Sequence, residues 1–374
     1  MEINSSIGLK HLNHHKVYRY LYEVNSSSKL DISRGTGLSI PTVASNIVEL
    51  ERRGLVISGQ ACKSTGGRRA QSYSINRTFR IAIGVEILKE EIKVVAVDLY
   101  GKIIAETRVD VAFSNNDIFY SRFGDFVNGF IDGLNYSDDR VLGIGIALQG
   151  LVSEDGETVF YSEILNATGL TLETFRKLFR FKCRMFHDTE KAALAEIWNS
   201  NGIRNAIYLV LNRNFGGSLI LNGEVGKGQK LASATIEHMR INPDGPLCYC
   251  GNRGCAESYC GANSFRDRYG IEVPDFFEKL HTGDEKCARI WKEYGSNLAI
   301  VINNVNMVVN CDVIIGGYLL RFMNEDDFNS LIDAFHAEGF NYGTDIRIIR
   351  SELEDKAPAL GAAIDFVEQF INEI

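Results

Sequence analysis

The chain has 374 residues, 45% of them hydrophobic, and a net charge of −8. That suffices for two or three packed domains and excludes a disordered or low-complexity polypeptide. No run of about 18 apolar residues occurs and Met1 opens no basic-then-apolar leader, so the sequence predicts a cytoplasmic protein with no membrane partner and reduced cysteines.

The charge is unevenly spread. Residues 1–80 carry 12 Lys and Arg against five acids, a net +7, while the remainder carries 28 against 43, a net −15. A basic module on an acidic body is the footprint expected of a domain that meets a phosphate backbone. Within it, Val17, Leu21 and Val24 repeat at helical spacing and predict a first helix ending near Asn25. A second short helix is expected over 29–36. Gly37 and Leu38 then turn into Ser39, a helix cap, with Pro41 in the first turn of a third helix that runs to about residue 53. Val43, Ile47 and Leu50 form its buried stripe, and Thr42, Ser45, Asn46 and Glu49 are assigned to the opposite face. After Gly54, strands over 55–58 and 71–75 make a two-stranded wing with Arg68 and Arg69 at its tip. The pattern reads as a winged helix-turn-helix over 1–78. Ser39, Thr42, Ser45 and Asn46 would face the major groove of double-stranded operator DNA, and Arg68 and Arg69 a narrow minor groove. Such a helix alone is as readily a solvated surface; the turn, wing, arginine pair and local charge together favour DNA.

From Arg80 the pattern turns to strands, over 81–88, 92–99 and 102–110, with a turn at Tyr100 and Gly101. A helix over 118–134 and a buried strand over 141–148 complete an α/β lobe. Strands over 206–211 and 218–221 look like the start of a second copy.

Further on, His238 is followed by Cys248, Cys250 and Cys255 in a loop containing Gly245, Pro246, Gly251 and Gly254. One imidazole and three thiols make a closed tetrahedral set for one structural Zn²⁺, leaving no open position for a catalytic water. Ordinary core cysteines are the competing reading, which the spacing disfavours.

This loop, ending in Glu257, resembles the signature of the ROK family of bacterial repressors and sugar kinases, Gly-His followed by Cys-x-Cys-Gly-x-x-Gly-Cys-x-Glu. The resemblance implies an actin-like, two-lobed domain over 79–374 with its zinc loop at 238–257. It also implies a sugar or sugar-phosphate effector touching Asp188, Thr235, Glu257 and the second nitrogen of His238. The Gly-Gly-Arg wing tip is likewise similar to ROK repressors, with Ala70 where Pro is usual. Asp188 matches the kinase general base in an Asn-Asp-x-x-x-Ala motif, with His187 replacing Asn, although the helix-cap reading of Asp188 stays open. Thr235 and Glu237 stand where the family's Glu-x-Gly-His has Glu and Gly, and Asn166 is a candidate for a sugar-contacting Asn.

The family's first phosphate loop, Asp-x-Gly-Gly-Thr, appears here as Glu86, Ile87, Leu88, Lys89 and Glu90, and the second as Asn212, Arg213, Asn214, Phe215, Gly216 and Gly217. Most of the glycines that let backbone amides close on phosphate are gone. Gly316 and Gly317 remain at the adenosine position, where a plain turn explains them equally. The resulting expectation is a homodimeric, sugar-responsive, non-enzymatic repressor of carbohydrate genes. An ATP-dependent sugar kinase is the alternative.

Overall fold

The computed structural model describes residues 6–59, 71–200, 202–228, 231–232, 234–338 and 346–374. Helices α1 (Ser6–Val24), α2 (Lys29–Thr36) and α3 (Ile40–Arg52) pack on one another through Val17, Leu21, Ile32, Val43, Ile47 and Leu50, all fully buried. Each such side chain is worth about 1.5–3 kcal/mol, and helices this short need that tertiary burial to persist. Ser28 caps α2 by accepting from Asp31 N at 3.2 Å, and Gly37, at φ 71°, ends it. Ser39 caps α3 through Thr42 N at 3.3 Å. Strands β2 (Val56–Ser58) and β3 (Ser72–Ile75) pair antiparallel. The expected two-stranded wing becomes three-stranded, because β1 (Ser27–Ser28) pairs with the other edge of β3. Two residues are too few to show a strand period in sequence. Arg68 and Arg69 lie outside the described residues.

The first lobe comprises β4 (Ile81–Ile87), β5 (Glu91–Val97), β6 (Ile103–Asp110), α4 (Asp117–Gly133), β7 (Val141–Leu148), the short pair β8 (Leu151–Val152) and β9 (Val159–Tyr161), α5 (Leu172–Arg176) and β10 (Cys183–His187). Helix α6 (Asp188–Asn199) leads to the second lobe: β11 (Ala206–Leu211), β12 (Phe215–Leu221), β13 (Glu224–Val225), α7 (Glu257–Cys260), α8 (Asn263–Tyr269), α9 (Val273–His281), α10 (Glu285–Val309), β14 (Asp312–Gly316), α11 (Glu325–Glu338) and β15 (Ile348–Arg350). The C-terminal α12 (Ala357–Glu373) returns to the first lobe.

The main sheets run β10-β7-β4-β5-β6 and β13-β12-β11-β14-β15. In each, three successive strands form an antiparallel meander and two later strands add in parallel beside the first. The duplication expected from two strand starts is therefore present in the pairing. Gly84 and Gly145 sit opposite each other on β4 and β7, where α12 crosses. A Cβ on either would lie 1.8 Å from Ala359 O or 2.0 Å from Ala362 O, so close helix-on-sheet packing requires both glycines.

One apolar core runs from the N-terminal helices through α12 and α6 to β11. At the join, the Tyr22 ring on α1 stacks on Tyr100 at 4.5 Å, and its hydroxyl donates to Leu99 O at 2.8 Å. Trp198, near the end of α6, donates from Nε1 to Tyr100 O at 3.0 Å.

Within the last turn of α6, Glu196 is 4% exposed and accepts from Ser351 Oγ. Burial raises its pKa from 4.5 to about 7, with Ser351 pulling the other way. A carboxyl that holds its proton more tightly when folded contributes stability that is present below about 4.5 and lost as pH rises through 7. Glu196→Gln should therefore flatten the fall of the urea midpoint between pH 5 and 8, by at most about 1.4 kcal/mol per pH unit. A slope identical to the parent's would refute this.

Candidate functional site

A cavity opens between the lobes where five segments converge: the end of β7, residues 161–164, the start of α6, the β11–β12 turn, and the run from Thr235 to Tyr249. Gln149, Asn212 and Asn214 supply amides; Asp188, Glu163 and Glu237 supply carboxylates. No Lys or Arg lines it among the described residues. Asp188 is the first residue of α6, with His187 at the cap position. Its Oδ1 accepts from Thr189 N at 2.8 Å and lies 3.3 Å from His187 Nε2. Asp188 is thus the first helical residue and not the cap, which falls to His187, and it faces the cavity while accepting from the next amide. Burial raises Asp188 to about 7 and lowers His187 to about 4, leaving the imidazole neutral at physiological pH. A neutral imidazole beside a carboxyl suits a hydroxylated ligand, since each presents hydrogen-bonding atoms without a fixed counter-ion.

Thr235 and His238 also line the cavity. Glu257 does not. Its Oε1 accepts from Asn214 Nδ2 at 2.7 Å and its Oε2 from Phe215 N at 2.6 Å, so it fixes the β11–β12 turn from one layer behind. Asn166 is exposed at φ 50° and is not among the residues that line the cavity, unlike the ligand-contacting Asn expected there. Glu237, Gln149, Asn214 and Tyr249 escaped the sequence reading. Only Glu237 carried a signal, as a carboxylate where the family motif has Gly.

The metal-ligand quartet expected from sequence does come together: ligand atoms of His238, Cys248, Cys250 and Cys255 all lie within 4.8 Å of one another. Cys248 Sγ is 3.8 Å from His238 Nδ1, and Cys250 Sγ is 3.7 Å from Cys255 Sγ. A tetrahedron of thiolates about 2.3 Å from a metal has edges of about 3.8 Å, so the donor set fits a metal ion. Gly251 and Gly254, at φ 85° and 73°, turn the loop sharply enough to bring the ligands round.

Beside the cavity, the former phosphate loops are bound to each other. Glu90 of the β4–β5 turn and Arg213 of the β11–β12 turn form a 3.1 Å ion pair across the lobes. Below it, Lys93 Nζ lies 3.1 Å from both Glu86 Oε2 and Asp355 Oδ2 and donates to Asp355 O at 3.0 Å. Arg321 reaches the same Asp355 carboxylate at 3.3 Å. Burial pushes Glu86 up to about 7 despite Lys93. A protein ammonium thus sits among the acids at the position of the first phosphate loop. Gly316 and Gly317 are explained by packing, since a Cβ on them would lie 2.4 Å from Tyr208 Oη or 2.8 Å from Leu211 N.

The ROK family model matches residues 82–369. The chain belongs to the ROK family. It is 25% identical over 382 residues to the xylose repressor of Bacillus spizizenii, covering 100% of this chain and 99% of that protein. It is also 25% identical over 380 residues to the DNA-binding transcriptional dual regulator NagC of Escherichia coli strain K12, covering 95% and 92%. Among solved structures it resembles a ROK transcriptional regulator homologous to the E. coli MLC protein, with a TM-score of 0.77, 21% identity and coverage of 98% and 97%. A ROK glucokinase from Streptomyces griseus, solved with glucose and AMPPNP, aligns with a TM-score of 0.68 and 21% identity over 77% of this chain and 99% of its own. The actin-like sugar-kinase fold of the ROK domain is thereby shown. Among the described residues no helix is long and apolar enough to cross a membrane.

The second candidate surface of this ROK protein is α3. Pro41, Ser45, Val48 and Arg52 are exposed and, at spacings of 4, 3 and 4, form one outward stripe flanked by Thr42 and Glu49. Ser39 is exposed at the N-terminus, its Oγ 2.8 Å from Thr42 Oγ1. Asn46 corrects the sequence assignment: it is 6% exposed and its Nδ2 donates to Thr42 O at 2.7 Å. It lies with Val43, Ile47 and Leu50 on the inner face.

Proposed function

We propose that this chain is a sugar-responsive, DNA-binding repressor of carbohydrate genes, acting as a homodimer, holding one structural zinc per chain and phosphorylating nothing. The observation that carries the reading is the state of the interlobe cleft. The cavity around Asp188 is lined by hydrogen-bond acceptors, while at the neighbouring phosphate-loop position Leu88 and Lys89 stand where the family has glycines, Lys93 is paired with Glu86 and Asp355, and Glu90 with Arg213. A site that keeps its acceptors but lacks the glycine cradle a triphosphate needs serves binding without transfer. The full-length similarity to proteins named as xylose and N-acetylglucosamine repressors supports the same conclusion.

The module over 1–78 would lay the α3 stripe in the major groove and bring Arg68 and Arg69 to the adjacent minor groove, with Ser39 and Thr42 near phosphates at the helix N-terminus. His238, Cys248, Cys250 and Cys255 hold the zinc. Helix α6 supplies the link to the ligand. Its first residue faces the cavity, it spans about 18 Å, and Trp198 at its far end bears on Tyr100 and, through it, on Tyr22 of α1. A ligand that favours one setting of Asp188 thereby favours one setting of the reading heads.

The test is anisotropy titration of the full chain on DNA from its own promoter at several salt concentrations, with ADP release measured alongside over common sugars. The expected result is salt-dependent, sequence-selective binding that Ser45→Ala and Val48→Ala weaken on that site more than on random DNA, with no turnover. Turnover abolished by Asp188→Ala would establish the kinase instead.

A further inference from the structure

Asp188, Glu163 and Glu237 line the ligand cavity and Glu257 lies one layer behind it, and these carboxyls differ in what already bonds to them. Glu257 has both oxygens taken by Asn214 and Phe215 N. Asp188 accepts from Thr189 N and adjoins His187. Glu237 lines the cavity half-buried, and among the described residues no side-chain donor or cation reaches it. No counter-ion answers it among the described residues; the nearby acids are Asp188 and Glu163 on the wall and Glu257 behind. A half-buried carboxyl left this way calls for hydrogen-bonding partners from whatever enters, because unused lone pairs are costly to leave unsatisfied once the ligand displaces water. Thr235, two residues earlier, offers one hydroxyl and cannot accept a pair of hydrogen bonds as a carboxylate does.

The charge around the cavity restricts the ligand further. A phosphate or carboxylate on the ligand would enter beside Asp188 and Glu237, with no Lys or Arg on the wall among the described residues. The basic residues of the adjoining cleft are committed, Lys93 to Glu86 and Asp355, Arg213 to Glu90, and Arg266 to Asp267, leaving Lys89 on the exposed rim. Resting on the sugar-responsive reading, we propose that Glu237 is the ligand-selecting acceptor of the cavity and that the ligand is an uncharged sugar donating two adjacent hydroxyls to it. An anionic group desolvated beside these acids with no cation to pair it is costly, which sets selectivity against anionic sugars. Two hydroxyls on neighbouring carbons can meet the two carboxylate oxygens at once, which a lone hydroxyl or a ring ether cannot.

Calorimetric titration of the metal-loaded full chain with D-xylose, D-glucose, N-acetyl-D-glucosamine, glucose 6-phosphate, N-acetylglucosamine 6-phosphate and D-glucuronate tests this. At least one neutral sugar should bind at least tenfold tighter than any anionic one. Glu237→Gln should weaken that sugar at least tenfold with metal content and melting temperature unchanged, and Glu237→Asp should recover part of the loss. Tighter binding of a phosphorylated sugar or the uronate overturns the ligand class. Affinity within twofold of the parent in Glu237→Gln, with binding lost in Asp188→Asn, overturns the role of Glu237 while leaving the sugar-responsive reading intact. If no probe binds the parent or alters its affinity for DNA, the sugar-responsive reading fails and the inference falls with it.

Discussion

Cys250→Ser is expected to abolish stoichiometric metal binding and lower the melting temperature by more than about 5 °C. Structural zinc contributes on the order of 10 kcal/mol to small metal-dependent folds, and removing one of four ligands forfeits much of it. Otherwise the loop is held by backbone hydrogen bonds, such as Ile241 N to Gly254 O and Ala256 N to Met239 O, both 2.8 Å, more than by apolar burial. Leu247 is 65% and Tyr249 40% exposed, and its few strand-like contacts are the isolated bridges Arg240 to Cys255 and Leu247 to Arg253. Since Glu237, His238 and Tyr249 reach the cavity from this segment, metal loss should also remove the response to ligand. Elemental analysis and a thermal melt of the parent, Cys250→Ser and a control, Cys287→Ser, provide the check. Cys287 is buried in the α10 core away from the quartet, so its variant should keep the metal. Full metal content in Cys250→Ser, or an unchanged melt, would show that these are ordinary core thiols.

The second large effect concerns coupling. Trp198→Phe preserves a ring against Tyr22 and Tyr100 but deletes the Nε1 donor to Tyr100 O. It should bind the effector within about twofold of the parent yet lose most of the ligand-induced change in DNA affinity, which for coupled sites is typically 5–150-fold. Comparing effector affinity with and without DNA reads the same coupling from the other side, because linkage is reciprocal. A full ligand response in the variant would show that the signal bypasses the end of α6.

How much of this was legible in the sequence follows from the range of the interactions. The strands of both lobes were legible because β4, β5, β7 and β11 are nearly continuous apolar runs, the mark of strands covered on both faces. Their duplicated order was not, since pairing joins residues far apart in the chain and leaves no local period. The metal quartet was legible because its ligands fall within 18 residues and their chemistry is narrow. Asn46 shows a misreading of a different kind. Positions 43, 46, 47 and 50 follow the i, i+3, i+4, i+7 pattern, so helical geometry places the amide inside even though its polarity suggested the surface. Glu237 and Glu257 exchanged importance for a three-dimensional reason: Asn214 and Phe215 N arrive from another segment and occupy Glu257, leaving Glu237 the acceptor that faces the cavity. The Glu90–Arg213 and Lys93–Asp355 contacts join residues more than a hundred positions apart, and only the fold reveals that lost glycines were replaced by ion pairs.

The central claim is that one molecule both reads DNA and responds to a sugar without turning it over. The most direct measurement is the dissociation constant of the full chain on its own promoter DNA, at fixed salt, with and without saturating neutral sugar of the kind bound in calorimetry, with the sugar recovered afterwards. The account predicts a shift of at least fivefold and a chemically unchanged sugar. An affinity for promoter DNA no different from that for random DNA, or one indifferent to a sugar shown to bind, would contradict it.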